Sequence, residues 1–266
     1  MKVAVLGAGG VIGRHLSISL TSRHVVTPVA HSDLNLLDTA AAFNFFATHQ
    51  FDVVVNAAGN TNSNIAAPFD PAIIDTNVGI MQTLSVSQRN FRKLITFGSG
   101  AEFDRSYHIS NAKESDLYSA RPFDAYGMSK NIASRLAMDI PNCCTLRLFG
   151  VFDPSEKSTR LFPKILSKTP IILEDKFFDY VSLTDLAIVV QHFVENTPPY
   201  KDMNVVYSRK QSLSETVRMF CRLHDISLDL IQFEEIRGWS YTGDGSRLEK
   251  LNLPLNGLEE GLRKYT

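Results

Sequence analysis

The stretch VAVLGAGGVIG, residues 3–13, joins an apolar run to a cluster of glycines. This order indicates a buried strand, a tight turn and then a helix. A turn without side chains lets the backbone approach a pyrophosphate, and the helix amino end adds free N–H groups. Two spacings remain open, Gly7-Gly9-Gly13 and Gly7-Gly10-Gly13, because Ile12 stands where the G-x-G-x-x-G fingerprint needs glycine. The stretch predicts a dinucleotide site.

Strand and helix patterns alternate along most of the chain. Strands are predicted at Val3–Leu6, Val25–Val29, Val53–Asn56, Lys93–Phe97, Thr145–Leu148 and Tyr180–Ser182. Helices are predicted at Gly10–Thr21, Thr39–His49, Pro71–Asn90, Ala125–Asp139 and Thr184–Glu195. The strand runs are continuously apolar, as in strands buried on both faces. We therefore expect an α/β fold: a Rossmann-type, doubly wound parallel sheet with helices on both sides.

The pattern loosens after Asn196, where the turn-rich segment TPPYKD follows. Beyond it we expect one short strand, Asn204–Tyr207, and a helix, Ser212–Leu223, that opens with a capping box. We expect residues 1–148 and 174–196 to form the dinucleotide-binding core. Residues 149–173 and 197–266 should form a small C-terminal substrate-binding lobe.

The composition narrows the class of protein. The 266 residues carry 27 basic and 28 acidic side chains, so the near-zero charge gives no support for nucleic-acid binding. No apolar stretch approaches the roughly 20 residues of a membrane helix, and the first residues do not read as a signal peptide. Three cysteines form no disulfide framework, and no Cys/His cluster has ligand spacing. We expect a cytoplasmic protein with no membrane association and no metal.

The end of the second strand bears on the choice between NAD and NADP. An acidic residue there binds ribose hydroxyls, whereas a basic residue suits a 2′-phosphate. Here His31 and Ser32 occupy that place, and Arg14 follows the glycine turn. A guanidinium and an imidazolium could pair with a phosphate. NADP is therefore favoured over NAD, although both side chains could simply be solvated.

Three polar residues form a candidate catalytic group. Tyr126 and Lys130 are four residues apart on a predicted helix, so they share a face. An ammonium beside a phenol favours the phenolate, which suits proton exchange with a substrate. Ser99 follows the fourth predicted strand, at the sheet edge where ligands bind in open α/β folds. Its hydroxyl could bind a carbonyl oxygen beside Tyr126.

Several motifs together resemble the extended short-chain dehydrogenase/reductases. They are Gly7, Gly10 and Gly13, NAAG (56–59), Ser99, Tyr126-x-x-x-Lys130, LRLFGVF (146–152) and FDYVSLTDLA (178–187). The resemblance implies an NAD(P) cofactor with hydride transfer at the nicotinamide, and it favours the Gly7-Gly10-Gly13 spacing. It implies that Tyr126 exchanges the proton, Ser99 binds the carbonyl oxygen, and Lys130 holds the nicotinamide ribose.

The candidate cofactor contacts extend along the amino-terminal half of the chain. They are Gly7, Gly10, Val11, Ile12, Gly13, Arg14, His31, Asp38, Ala57, Ala58, Gly59, Asn77, Tyr126 and Lys130. The resemblance implies that Asp38 lies beside the adenine and that Asn77 supports the cofactor side of the site.

Within this family, SDLNLLD (32–38) and GSGAEF (98–103) are most similar to the nucleotide-sugar 4-keto reductases, such as GDP-fucose synthases and dTDP-4-dehydrorhamnose reductases. The GDP-fucose synthases also epimerise their substrate, and they use a cysteine and a histidine to do so. The corresponding positions here are Ala101 and Arg160. Alanine exchanges no proton, and arginine stays protonated. We therefore expect NADPH-dependent reduction of a 4-keto group on a nucleotide-diphosphate 6-deoxyhexose, without epimerisation.

The substrate contacts and the oligomeric state are further expectations. The candidate substrate contacts are Thr61, Ala101, Glu102, Arg160 and Arg247, the two arginines as diphosphate ligands. In many relatives, helices corresponding to residues 71–90 and 125–139 form a four-helix interface, so we expect a homodimer.

Two other functions stay open. The first is a nucleotide-sugar 4-epimerase or dehydratase that keeps NAD tightly bound. The second is a non-catalytic NAD(P)-binding regulator, which the retention of Ser99, Tyr126 and Lys130 disfavours.

Overall fold

The computed structural model describes residues 1–61, 69–234 and 239–265. Its strands are β1 (Lys2–Leu6), β2 (Val25–Val29), β3 (Phe51–Asn56), β4 (Phe91–Ser99), β5 (Ile109–Ala112), β6 (Cys143–Leu148), β7 (Gly150–Phe152), β8 (Ile171–Glu174), β9 (Tyr180–Ser182), β10 (Asp202–Asn204), β11 (Ile231–Glu234) and β12 (Tyr241–Gly243).

The α-helices are α1 (Val11–Ser19), α2 (Thr39–His49), α3 (Pro71–Val86), α4 (Ala125–Met138), α5 (Leu161–Leu166), α6 (Leu183–Glu195), α7 (Leu213–Leu223), α8 (Ser246–Glu249) and α9 (Gly257–Arg263). Short 3-10 turns join several of them, one of which, Gly100–Phe103, follows β4 directly. Over the described ranges, none of these helices has both the length and the apolarity to span a membrane.

Six strands form the main sheet in the order β10-β6-β4-β3-β1-β2, and all neighbours run parallel. Their carboxyl ends therefore meet at one edge. The strand order reverses between β1 and β3, and ligands bind at such a switch point in doubly wound sheets. The predicted α/β fold with a parallel sheet is confirmed.

Successive residues of β1 show why its sequence is apolar throughout. Val3 and Val5 belong to a core on one face of the sheet, which α1 and α6 cover. Ala4 and Leu6 belong to a core on the other face, which α2, α3 and α4 cover. Because side chains alternate along a strand, a continuous apolar run buries both faces.

The carboxyl-terminal half departs from the sequence expectation in two places. Tyr180–Ser182 was predicted to join the main sheet, but β9 pairs with β7 in a separate two-stranded sheet. The sixth strand of the main sheet is instead β10, which pairs with β6 although residues 197–266 were expected to lie in the lobe. A third apolar core gathers side chains from α5, α7 and α9, including Phe162, Phe220 and Leu262.

The cysteines are free and buried. Cys143 and Cys144 are neighbours on β6, and they point into the two opposite cores. Burial raises the pKa of Cys143 to about 12, so its thiol stays protonated at neutral pH. The third, Cys221, packs in the core of α5, α7 and α9.

Candidate active site

The glycine turn after β1 depends on backbone approaches that a side chain would block. Gly7 has a φ of +75°, and a Cβ at this residue would lie 2.6 Å from Ala58 N. A Cβ at Gly13 would lie 2.2 Å from the Gly7 carbonyl oxygen, so α1 packs directly against the turn. Gly10 is the N-cap of α1 and brings no side chain to the first turn. The amino end of α1 therefore offers N–H groups to a ligand.

A cleft of about 370 Å³ opens between this turn and the ends of β2 and β3. Of the predicted cofactor residues, Gly7, Gly10, His31, Ala57, Ala58 and Gly59 line it. A Cβ at Gly9 would have no atom within 4 Å, so this residue also borders open space. Leu34 and Leu36 supply apolar wall beyond β2. The volume and the mixed lining are typical of a small-molecule site.

The cleft edge near β2 carries the residues expected to distinguish NADP from NAD. His31 is exposed at this edge, and Arg14 Nη2 donates to the Gly9 carbonyl oxygen at 3.2 Å. Asp38 caps α2 and is not among the residues that line the cleft. Its Oδ1 accepts from Ala41 N at 2.9 Å and caps α2. This bond uses one carboxylate oxygen, and the contact with adenine stays a prediction.

Ser99 ends β4 and begins the 3-10 turn that follows it. Its Oγ accepts from Ala101 N at 3.2 Å, and its own N–H donates to Glu102 Oε1 at 2.7 Å. Ser99 Oγ also accepts from the Glu102 N–H, and this bond forms a capping box together with the bond from Ser99 N to the Glu102 carboxylate. Ala101 is fully buried in this turn. The predicted substrate contact of Ala101 therefore has no exposed surface in this structure, and it stays a prediction.

Helix α4 carries Tyr126 and Lys130 beside the Ser99 turn. Asp124 caps the helix by accepting from Gly127 N at 2.9 Å, and Arg105 binds the same carboxylate through two nitrogens. The Arg105 guanidinium also lies 5.7 Å from the centre of the Tyr126 ring. Lys130 Nζ donates to the Phe97 carbonyl oxygen at 2.9 Å, which ties the helix to β4.

Asn77 on α3 connects the cleft to α4. Its Oδ1 accepts from Asn60 N at 2.7 Å, and its Nδ2 donates to Asn60 O and to Ser129 Oγ. Ser129 in turn donates to the Tyr126 carbonyl oxygen at 2.8 Å. The loop that lines the cleft and the helix with the candidate catalytic residues are thus joined by one buried amide.

A buried ion pair lies behind the Ser99 turn. Arg147 on β6 is fully buried, and its Nε donates to Glu102 Oε2 at 2.7 Å. Glu102 Oε1 also accepts from Ser134 Oγ of α4 at 2.8 Å. Arg147 reaches Asp202 Oδ2 at 3.3 Å on its other side. Because both carboxylate oxygens of Glu102 have protein partners, the prediction that Glu102 binds substrate is wrong.

The remaining predicted substrate residues lie in three different surroundings. Arg247 Nη1 donates to Asp202 Oδ1 at 2.7 Å, and its Nε lies 3.5 Å from Glu114 Oε2. Two carboxylates thus pair with Arg247, whose side chain is one-third exposed, and the expectation that it binds a diphosphate stays a prediction. Arg160 is exposed and pairs with Glu156 at 3.3 Å, so its role stays a prediction. Thr61 is exposed at the end of a described range, and its role also stays a prediction.

Sequence reasoning missed two residues at this site. Arg147 is one charge within the apolar strand CCTLRL, a pattern that indicates a buried partner but does not identify it. Tyr241 on β12 packs its ring against Phe149 and Phe178 and brings its Cζ beside Gly100. No local pattern marks Tyr241, because its neighbours come from distant parts of the chain.

Comparisons with known proteins agree with this geometry. Residues 3–205 match the model of the NAD dependent epimerase/dehydratase family. GDP-L-colitose synthase from Yersinia pseudotuberculosis is 19% identical over 255 residues, which cover 84% of this chain and 82% of that protein.

Solved structures share the fold over nearly the whole chain. A dTDP-4-dehydrorhamnose reductase from Bacillus anthracis in complex with NADP has a TM-score of 0.84 at 15% identity, covering 99% of this chain and 96% of its own. A GDP-mannoheptose C4 reductase from Campylobacter jejuni with NADP bound has a TM-score of 0.82 at 18% identity, covering 98% and 96%.

Proposed function

Because the chain belongs to the NAD dependent epimerase/dehydratase family, as an NAD(P)-dependent oxidoreductase, we propose that it reduces the 4-keto group of a nucleotide-diphosphate 6-deoxyhexose with NADPH. The observation that carries the proposal is the packing of the Ser99 turn against α4, which bears Tyr126 and Lys130, next to the glycine cleft. The similarity to reductases that act at the same sugar carbon supports the choice of reaction.

The residues around the glycine turn fit a dinucleotide. Gly9 borders open space, and the uncapped amino end of α1 offers N–H groups to a pyrophosphate. Ala57, Ala58 and Gly59 would border the cofactor on the β3 side, and Lys130 lies next to Gly59. When bound, the nicotinamide supplies the hydride that reduces the ketone carbon.

The protein's own residues account for the other half of the reaction. Reduction of a ketone needs a hydride at carbon and a proton at oxygen. We assign the proton to the Tyr126 hydroxyl, and we assign Ser99 the hydrogen bond that fixes the carbonyl oxygen and stabilises its developing charge. Lys130 would bind the nicotinamide ribose and supply positive charge beside Tyr126.

The chain lacks the groups for epimerisation at the positions where related epimerising reductases carry them. Ala101 brings a methyl group, and Arg160 brings a guanidinium that stays protonated. Carbons next to a ketone exchange protons only when a base is within reach. The proposal is therefore a plain ketone reduction that leaves the neighbouring stereocentres unchanged.

The experiment is NADPH consumption by the purified protein with a panel of 4-keto-6-deoxy nucleotide sugars. Tyr126→Phe should lower kcat by at least about 100-fold, since general acid catalysis contributes about 10²–10⁴-fold. Met128→Leu, a change on the exposed side of the same helix, is the matched control. The product made in D2O should carry no deuterium on the two carbons next to the reduced carbon, because these carbons should not exchange their protons. If none of these sugars supports NADPH oxidation, or if the purified protein carries stoichiometric NAD, the proposal is rejected.

The preference for NADP over NAD is part of the proposal. Arg14 lies over the glycine turn and His31 borders the cleft on the β2 side, where a 2′-phosphate would need positive charge. Arg14→Ala should raise the KM for NADPH about tenfold and leave the KM for NADH within twofold. Equal effects on both cofactors would remove Arg14 from this role.

A second copy of the chain and a cytoplasmic location complete the proposal. Helices α3 and α4 lie side by side and leave Val86, Met128 and Ile132 partly exposed, so they offer an apolar face for a symmetric dimer. The free cysteines agree with a reducing compartment. Sedimentation should give a dimer at micromolar concentration and a monomer for Ile132→Lys. A monomeric wild-type protein would contradict the expectation.

A further inference from the structure

Arg105 joins the segment that follows the Ser99 turn to the start of helix α4. Its Nε donates to Asp124 Oδ2 at 3.2 Å, and its Nη2 donates to Asp124 Oδ1 at 2.7 Å. Two parallel hydrogen bonds fix a guanidinium and a carboxylate in angle as well as in distance. Asp124 Oδ1 also accepts from Gly127 N at 2.9 Å, so the same carboxylate caps α4. The pair therefore holds the guanidinium against the first turn of α4.

The backbone beside Arg105 is also held in place. The N–H of Asp104 donates to the Ala101 carbonyl oxygen at 3.3 Å, which ties it to the Ser99 turn. The Asp104 carboxylate accepts from Ser106 N at 3.0 Å on the other side of Arg105. The Arg105 side chain is thus fixed at its backbone and at its guanidinium.

The same guanidinium lies over the ring of Tyr126. Its Cζ is 5.7 Å from the ring centre, within the roughly 6 Å at which a cation is attracted to an aromatic face. The side chains of Arg105 and Asp124 are 30% and 18% accessible, so water screens these contacts only in part. An isolated surface ion pair contributes little to stability. This pair differs because it ends on a candidate catalytic ring.

The position of Tyr126 in α4 gives the contact its importance. A long helical side chain lies over the turn that precedes it. Tyr126 is the second residue of α4, so no helical turn precedes it and another segment must support its ring. Arg105 is a side chain from outside the helix that does so. Because Asp124 offsets much of the guanidinium charge, the support acts on the orientation of the ring rather than on its charge.

We propose that Arg105 is a positioning residue, which holds the Tyr126 ring in the orientation from which its hydroxyl delivers a proton to the substrate. The kinetic part rests on the proposed ketone reduction, whereas the contact between guanidinium and ring does not. Proton transfer needs the hydroxyl within hydrogen-bond reach of the carbonyl oxygen. A ring that turns away lowers the fraction of complexes that can react, so loss of Arg105 should lower kcat and leave KM nearly unchanged.

The contact is tested without substrate by NMR of protein labelled at the tyrosine ζ carbon. The Tyr126 signal is identified by its loss in Tyr126→Phe. Arg105→Met removes the guanidinium and should shift this signal. Arg121→Met is the matched control and should leave the signal in place, because Arg121 lies in the same segment between β4 and α4 and donates to the Tyr118 and Ala120 carbonyl oxygens. An unmoved Tyr126 signal in Arg105→Met would overturn the proposal.

The kinetics of ketone reduction distinguish orientation from charge. Arg105→Met should lower kcat about tenfold with KM within twofold, and Arg121→Met should change neither. Asp124→Asn removes the ion pair but keeps a good helix cap, so α4 should keep its start. This variant should lower kcat at least about threefold, because the guanidinium loses its anchor. A rise in kcat would show that the charge of Arg105 matters rather than its place, and it would overturn the positioning role.

A double-mutant cycle separates positioning from a general structural effect. In a Tyr126→Phe background, Arg105→Met should change the remaining kcat by less than twofold, because Arg105 acts through the Tyr126 hydroxyl. Additive losses in the cycle would contradict the positioning role. A shifted NMR signal in a protein that reduces no 4-keto sugar would reject the proposed function and keep the contact.

Discussion

Glu102→Gln is the most informative single change at the buried ion pair. In the wild-type protein, Oε1 accepts from Ser99 N and Ser134 Oγ, and Oε2 accepts from Arg147 Nε. A glutamine keeps the shape but replaces one of these oxygens with an NH2 group. If the amide oxygen faces Ser99, the NH2 group opposes the Arg147 N–H; if it is flipped, the NH2 group opposes the Ser99 N–H. One buried donor is unsatisfied in either orientation.

The expected loss of stability follows from the partners that remain. Removing one member of a buried ion pair costs roughly 3–5 kcal/mol. We expect the lower end, about 3 kcal/mol, because Arg147 keeps Asp202 and Asn204 as partners. At about 2–4 °C per kcal/mol for a chain of this size, the Tm should fall by roughly 6–12 °C.

Urea unfolding followed by circular dichroism measures this loss as a shift of the midpoint at constant slope. Arg263→Gln is the control, because Arg263 makes its ion pairs with Glu259 and Glu260 on the surface. That variant should change stability by less than about 0.5 kcal/mol. If Glu102→Gln is as stable as the control, Glu102 does not hold the Ser99 turn through its charge.

Three further changes test other parts of the structure. Gly13→Ala places a Cβ 2.2 Å from a backbone oxygen and should lower the free energy of unfolding by about 3 kcal/mol. Gly9→Ala meets no atom within 4 Å, so it should keep the stability of the free protein. It should weaken NADPH binding, measured by fluorescence titration. Burial of His24 lowers its pKa from 6.5, so the folded state favours the neutral ring. The contribution of the neutral His24 ring to the free energy of unfolding is therefore complete above pH 6.5, and it is lost as the pH falls through the lowered pKa. His24→Phe should flatten that part of a plot of urea midpoint against pH. An unchanged slope would contradict the expectation. Arg247→Gln should lower the Tm, because Arg247 pairs with Asp202 and Glu114, and should leave the KM for a nucleotide sugar within twofold. A tenfold rise in KM with an unchanged Tm would instead support a role as a diphosphate ligand.

The fold was predictable where local signals agree with one another. Helix α2 was predicted at its observed bounds, since Asp38 caps its start and Gln50 ends it in the left-handed region. The main-sheet strands β1 to β4 and β6 were found from their apolar runs. Strand β10 was misplaced, because three residues carry too little periodicity to distinguish a sheet strand from a loop.

For the candidate site, the sequence singles out side chains in short motifs but not the partners that these side chains have in the fold. Ser99 and the Tyr126/Lys130 pair lie in short motifs, so sequence spacing was enough to single them out. Glu102 and Arg247 were predicted to contact substrate, because the sequence around them does not reveal that they pair with Arg147 and Asp202. Such pairings arise from residues about 45 positions apart in the chain, and only the packing of strands against each other brings them together.

The row of charges Arg247, Asp202, Arg147 and Glu102 ends at the peptide N–H of Ser99. Only Arg247 is substantially exposed to solvent, and its side chain is 32% accessible. Dissolved ions screen exposed charges but reach buried pairs far less. We therefore expect the electrostatic environment of Ser99 to be nearly independent of ionic strength, so that added salt weakens the binding of a charged nucleotide while the chemical step keeps its rate.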